Sequence, residues 1–516
     1  MQFKEKYHYL AVFVLFIFIS FFLANYVGFN RHWIVNHDHE FTLIYNALLF
    51  NSHLPLEYIQ HPGFFTILFL SLFIKLLSFF DLITVYNLSL LNSENFDGGF
   101  QELIFFTRIY STISVSLFCC VSYAFFYKFS KHKAYSYILS LLIFFSQGTI
   151  FHFAQLRTEL IAMFFIILSL ICLKTFLEDV KKYKLLYLSG FFLFIICALL
   201  NKMQVFFLLP LYIAILYFCE NKIDNFNVTE YNFLNKKWVP YTLFFIVIFY
   251  IFKGTTNIFD PVPMLSTIAL ISNIFFMNLF FLLILKKQPE TIKINLVVIN
   301  LCFILVFFLT KNFLLIHPSA SESIFIELTR IMNLSQYISS APDITDTLNF
   351  TYSLFTQFFI NFLSILNQII FKLNIYSLVI ILNCLITIIF RKFLTAKMIK
   401  FNFTCIAISI LIIVINSYRA EGNLLPHYMI FSELIIVLSL CNFYKFLKTR
   451  YLILIFILIC FVNFQNNLKY INQQRIHDYE IEKNLVVNVC KNNYFTHWHK
   501  KINKEYFVNL CNNYNN

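Results

Sequence analysis

Long apolar runs separated by short polar stretches repeat along most of the chain. They lie near 9–28, 104–128, 134–152, 158–177, 184–200, 203–219, 240–256, 264–285, 293–311, 374–390, 400–417, 424–443 and 450–466. Each is long enough, as a helix, to cross a hydrocarbon core of about 30 Å, and together they number about thirteen. A helix satisfies its own backbone polar groups in lipid, so the predicted fold class is an all-α polytopic membrane protein. A transmembrane barrel needs short alternating segments, which are absent.

Two further apolar segments carry polar stripes. In 64–80, Ser71, Lys75 and Ser78 recur at helical spacing and predict a helix lying in the interface. In 351–372, Ser353, Gln357, Asn361, Ser364, Gln368 and Lys372 share one helix face, too polar to meet lipid. That segment is expected to lie in the interface or to border a cavity. Ahead of 64–80, Phe41, Ile44, Tyr45, Leu48 and Leu49 predict a short amphipathic helix starting near Asp38. The turn "SHLP" ends it, and Pro62 opens the next helix as a first-turn proline.

Charge orients these elements. The chain has 39 Lys and Arg against 26 Asp and Glu. The basic residues sit mainly in short loops between apolar runs, which makes them topology determinants rather than a nucleic-acid surface. Lys4 and Lys6 put the N-terminus inside. If 64–80 crossed, "KFSKHK" (128–133) would be exported, so charge agrees with a non-crossing 64–80. A non-crossing 351–372 likewise keeps "RKFLTAKMIK" (391–400) inside. The expected organisation is one transmembrane domain, 1–466, with an outer loop at 29–103 holding juxtamembrane helices, and a small exported tail, 467–516. The run Tyr9–Val27 reads as a retained helix, because no small-residue cleavage site follows it. The 12 cysteines form no CxxC pair. Cys119, Cys120, Cys172 and Cys197 sit in apolar runs as small packing residues. Cys490 and Cys511 share the polar tail, and their spacing leaves pairing open.

With this topology, ionisable residues gather at the outer turns. "NHDHEF" (36–41) carries Asp38 and Glu40; "FHFAQLRTEL" (151–160) carries Arg157 and Glu159; "LLNKMQ" (199–204) carries Lys202. "NSYRAEGNLLPHYMIF" (416–431) carries Arg419, Glu421, His427 and Tyr428. Arg and Lys suit a phosphate, and a carboxylate can take a proton from a hydroxyl. Plainer roles exist for each. Asp38 could cap a helix and Glu40 could favour its first turn. Arg157 and Glu159 could form a local ion pair, Lys202 could snorkel, and Tyr428 could be an interfacial aromatic. The first outer loop also holds His32, His37, His39, His53 and His61, but no HExxH motif. Consecutive side chains at 37–40 cannot all face one ion, so no metal site is assigned.

The order of these features resembles the GT-C superfamily of membrane glycosyltransferases. The likeness is to the branch of protein O-mannosyltransferases and lipid A aminoarabinose transferases. "HDHEFTLIYNALLFNSHLPLEYIQHPGFF" is similar to that branch's first outer loop, with its acidic motif, two juxtamembrane helices and "KPP"-like turn. "LRTEL" resembles its Arg-x-acidic motif, "NKM" its "TKG"-type turn and "LPHYMI" its "RY-L-P" segment. The resemblance covers residues 1–220 well and the later spans loosely. It departs at Gln60 and His61, where relatives often carry Glu and Lys, and at His427, where Arg is common. The resemblance implies a polyprenyl-phosphate-linked sugar donor, a glycan, lipid or protein acceptor, and inversion at the anomeric carbon. It implies no certain cofactor, although some members use a divalent ion. Asp38 carries over as the catalytic carboxylate, and Glu159 is a candidate positioning carboxylate beside it. Glu40, His61, Arg157, Lys202, Arg419, His427 and Tyr428 are the expected substrate-binding residues. The implied location is the bacterial inner membrane, with the site on the periplasmic side. The alternatives are a secondary transporter or lipid-linked glycan flippase, expected to carry ionisable residues near the bilayer midplane, broken helices and a repeat, and a membrane glycan polymerase or ligase.

Overall fold

The structure is a computed structural model. It describes residues 2–29, 31–33, 40–54, 56–57, 63–92, 94–153, 155–177, 184–208, 211–212, 359–360, 362–369, 374–417, 424, 426–446, 457–468, 471–472 and 502. Among these residues the regular structure is entirely helical: α1 (Gln2–Val27), α2 (Thr42–Asn51), α3 (Phe64–Phe79), α4 (Phe96–Ser130), α5 (Lys133–Phe144) and α6 (Gln147–Phe151). Then follow α7 (Thr158–Leu177), α8 (Lys184–Asn201), α9 (Ile375–Ile389), α10 (Ala396–Ser417), α11 (Pro426–Leu438) and α12 (Ile457–Leu468). Five described helices are long and apolar enough to cross a bilayer. The chain is an α-helical polytopic membrane protein. Large apolar side chains stand exposed along α1, α9 and α12, among them Phe18, Phe22, Ile388 and Phe461, as on a lipid-facing surface.

Side-chain bonds fix the helix directions. Arg108 in α4 donates to the carbonyls of Phe29 and Arg31, so α4 starts where α1 ends. Tyr135, at the start of α5, donates to Leu440 just past α11, so α5 and α11 run oppositely. α9 runs parallel to α11, with Tyr376 bonded to Ser432 (2.7 Å) and Asn383 to Ser439 (2.8 Å). α12 follows α5, with Asn463 donating to Leu142 and Phe145. The helices therefore share two ends. One carries the exposed basic loops around Lys131, Lys133, Arg391, Lys392 and Lys397. The other carries the 29–95 loop and the turns after α6 and α8. These are called the basic end and the loop end.

α3 does not cross between them. At its start, Gly63 N–H donates to Asn201 O (3.0 Å) at the end of α8. Gly63 has φ +53°, a left-handed conformation that favours glycine. Just past α3, Thr84 is held by Glu102 in the first turns of α4. Both anchors lie at the loop end. With 35 residues at 1.5 Å each, α4 is about 52 Å long, well beyond the ~30 Å hydrocarbon core. Its first turns extend past the expected 104–128 span and give the loop elements something to pack on. A second, smaller core forms there from Trp33, Phe41, Leu48, Ile67, Phe96 and Phe100. Ile502 of the C-terminal tail packs into it.

Several expectations need correction. α2 begins at Thr42 with Phe41 before it and no side-chain cap. It is not amphipathic: Thr42 to Leu49 and Asn51 are all buried, because α3 and α4 enclose it. Its polar groups turn inward to partners, as when Ser71 donates to Asn51 (2.7 Å). The polar stripe of α3 is therefore split. Ser71 is buried, while Lys75 is exposed beside Leu72, Leu76 and Phe79. The run 134–152 is not one helix. It breaks after Phe144, and Ser146 caps the short α6. The 203–219 run opens as a 3-10 turn, Met203–Leu208. Most of its remainder, and the runs 240–256, 264–285 and 293–311, lie outside the described residues. Of the 351–372 stripe, Ser364 and Gln368 are described; both are half-buried, while Phe359, Ile360 and Leu363 are exposed.

Candidate functional site

The turn between α6 and α7 is fastened from several sides. Ser111 of α4 donates to His152 O (2.7 Å) and Gln155 O (3.2 Å), and Thr112 donates to Phe153 O (3.0 Å). Glu40 accepts from Leu156 N (3.0 Å). Its other oxygen lies 3.3 Å from Arg108 Nη2, and both side chains are fully buried. Both Glu40 oxygens are thus engaged inside the protein, which makes it an anchor of this turn. Removing either charge of such a pair strands the other, at a cost of about 3–5 kcal/mol.

A second set of bonds joins three helix ends. Asn201, the last residue of α8, donates to Thr158 O at the start of α7. Its side-chain oxygen accepts from Thr66 N (2.9 Å) and Thr66 Oγ1 (3.1 Å) in the first turn of α3. This junction sets the next residue, Lys202, against α7. Lys202 Nζ lies 3.0 Å from Glu159 Oε1, and Arg157 Nε lies 3.6 Å from Glu159 Oε2. These are ion-pair contacts without hydrogen-bond alignment. All three side chains are buried. Lys202 Nζ also lies 5.6 Å from the centre of the Tyr428 ring, and the Arg157 guanidinium 5.7 Å from that of Phe151. The His427 ring stands 4.1 Å from Tyr428 and 5.8 Å from Phe151.

Residues from three separate stretches of sequence, Arg157 with Glu159, Lys202, and His427 with Tyr428, thus meet at the loop end. Among the described residues two cations here face one carboxylate, the kind of cationic grouping that suits an anionic group. Asp38, His61 and Arg419 lie outside the described residues, as do His37, His39 and Glu421. Among the described residues no group of three or more His, Cys, Asp or Glu is placed to hold a metal ion.

Sequence reading missed four participants. Arg108, lone in an apolar run, is the partner of Glu40. Asn201 makes the junction. Glu433, fully buried within α11, accepts from Ser146 Oγ (2.6 Å) and Gly148 N (3.0 and 3.1 Å), holding α6 by its N-terminus. His152, fully buried, has Nδ1 2.6 Å from Gly148 O. An ionisable residue isolated in an apolar run is a functional signal in membrane proteins, and Arg108 and Glu433 both fit it. No protein-family model matches the chain, and no characterised protein matches its sequence.

Proposed function

We propose that the protein is a GT-C-type glycosyltransferase, moving a sugar from a polyprenyl-phosphate-linked donor to an acceptor hydroxyl with inversion. The observation that carries this reading is the buried Arg157–Glu159–Lys202 cluster at the loop end. Arg157 and Lys202 would hold the donor phosphate and stabilise its charge as it leaves. Glu159 would orient both cations. Asp38 would take the proton of the acceptor hydroxyl while the acceptor oxygen attacks the anomeric carbon and the carbon–phosphate-oxygen bond breaks. Glu40, two residues after Asp38, is bonded to Leu156 N, next to Arg157, which supports assigning the acidic loop and the cations to one site. The positive-inside rule puts the basic end in the cytoplasm, and so the cluster on the opposite face.

A lipid-linked glycan transporter is the rival reading. Its best support is Glu433, a carboxylate fully buried within a span. Against it, the partners of Glu433 belong to α6, beside the same loop-end turn.

The test uses the full chain in lipid nanodiscs and proteoliposomes with polyprenyl-phosphate sugars and membrane extract as acceptor. Formation of a new glycosidic bond is expected, with Asp38→Asn slowing it by about 10²–10⁴-fold. Unchanged transfer by Asp38→Asn would sink the assignment of the base. Movement of the lipid-linked sugar across the bilayer with no new bond would favour the transporter.

A further inference from the structure

The two turns that supply the Glu159–Lys202 pair each also bury polar atoms with no hydrogen-bond partner among the described residues. On the first turn there are two, the side-chain oxygen of Gln155 and His152 Nε2. The other imidazole nitrogen of His152 faces the Gly148 carbonyl, which only accepts, so Nδ1 carries the proton and Nε2 presents a bare lone pair. The ring is fixed, because the same Gly148 is gripped through its N–H by Glu433. It belongs to the cluster: the His152 ring is 6.0 Å from Phe151, on which Arg157 and His427 also converge. On the second turn it is Gln204, with both its amide oxygen and nitrogen unpartnered and the residue buried. Val205 N–H donates to Lys202 O (3.3 Å), closing the turn that contains Gln204.

Buried polar atoms are seldom left without partners, and those that are call for a ligand or a role. The chemistry of His152 and Gln204 is specific. An imidazole lone pair cannot bind a deprotonated anion; it needs a donor. An amide both donates and accepts. Hydroxyl groups, which do both, complement the two together. The neighbouring cations meanwhile suit a phosphate. We propose that His152 and Gln204 form a hydroxyl-recognition subsite that takes the sugar of the donor, beside the phosphate site of Arg157 and Lys202. This rests on the glycosyltransferase reading above.

Binding separates the two claims. The full chain in nanodiscs is titrated with undecaprenyl phosphate, and with the same lipid bearing mannose, galactose or arabinose, with histidine nitrogens labelled for NMR. Wild-type protein is expected to bind the bare lipid, to bind at least one sugar-bearing lipid more tightly, and to shift the His152 Nε2 signal only with that lipid. His152→Asn keeps an N–H for the Gly148 carbonyl but lacks the second nitrogen. Gln204→Leu replaces the unpartnered amide with an apolar group of similar size. Each should weaken the sugar-bearing lipid by about tenfold, the worth of one good hydrogen bond, with the bare lipid within about twofold. Gln204→Leu should also raise the melting temperature, since it removes two unpaired polar atoms. If no sugar-bearing lipid outbinds the bare one, or if both variants keep the full preference, the subsite is wrong while the phosphate reading stands. If wild-type protein binds none of these lipids, the glycosyltransferase reading falls, and the subsite with it.

Discussion

His152 holds its imidazole neutral. Burial is the largest cause and pushes its pKa down to about 4 from the ordinary 6.5; nearby Glu159 and the Gly148 bond oppose the shift, and Arg157 and Lys202 add to it. The sign of the consequence follows. As pH falls below 6.5 the unfolded chain takes up a proton that the folded ring refuses until about 4, so stability is lost across that window. For this residue alone the loss reaches about 3 kcal/mol at the lower edge. Thermal unfolding in nanodiscs from pH 7 to 4 should show wild-type protein losing more than His152→Asn, and equal slopes would contradict it. The same residue shows the limits of sequence. In "FHF" it is one histidine among thirteen; only folding excludes water from it and brings Gly148 to one nitrogen. Lys202 and Glu159, in contrast, are readable as a pair of charges at two predicted turns, though not as contacts 3.0 Å apart.

Among the elements, α6 depends on one small residue. A β-carbon on Gly148 would come within 2.5 Å of both Glu433 Oε2 and the Ile430 backbone nitrogen. The backbone of α11 cannot yield as a flexible side chain could. Gly148→Ala should therefore destabilise the α6–α11 contact by about 1–3 kcal/mol. It should also loosen His152, seen as faster hydrogen exchange across 146–153; exchange unchanged from wild type would mean that this contact does not order the turn. The break before α6 has a local signature in "SQGT", with a capping serine and a glycine, yet hydropathy alone merges it into one run. α2 shows the opposite error. Its apolar spacing predicts a helix correctly but suggests a wet face, and α3 and α4 cover that face instead.

Across the whole molecule, the two ends treat basic residues differently. At one end Lys131, Lys133, Arg391, Lys392 and Lys397 are exposed. At the other, among the described residues, Arg31, Arg108, Arg157 and Lys202 are buried and Lys75 on α3 is exposed. Exposed loop cations are the kind that set topology, whereas burying a cation needs a partner, as Glu40 is for Arg108 and Glu159 for Lys202. Because α3 is anchored at the loop end on both sides, Asp81 should share a membrane face with Glu94, opposite Lys131 and Lys392. Single cysteines at these four positions, in a cysteine-free background, should react with an impermeant thiol reagent in two groups divided in that way. Labelling of Asp81 from the same side as Lys131 would mean that α3 crosses.

Read alone, the amino-acid order settles the class and the approximate places of the five long described spans, though not the break within 134–152. These follow from run length, hydropathy and charge, which are local or additive properties. It also marked Arg157, Glu159, Lys202, His427 and Tyr428 as candidates, since charges at span ends are costly and stand out. Which of them touch is set by how the helices pack. Ion-pair geometry, the anchoring of Glu40 by Arg108, the grip of Glu433 on α6 and the junction at Asn201 all join residues far apart in the chain. Such contacts depend on helix packing and burial, which no local pattern records.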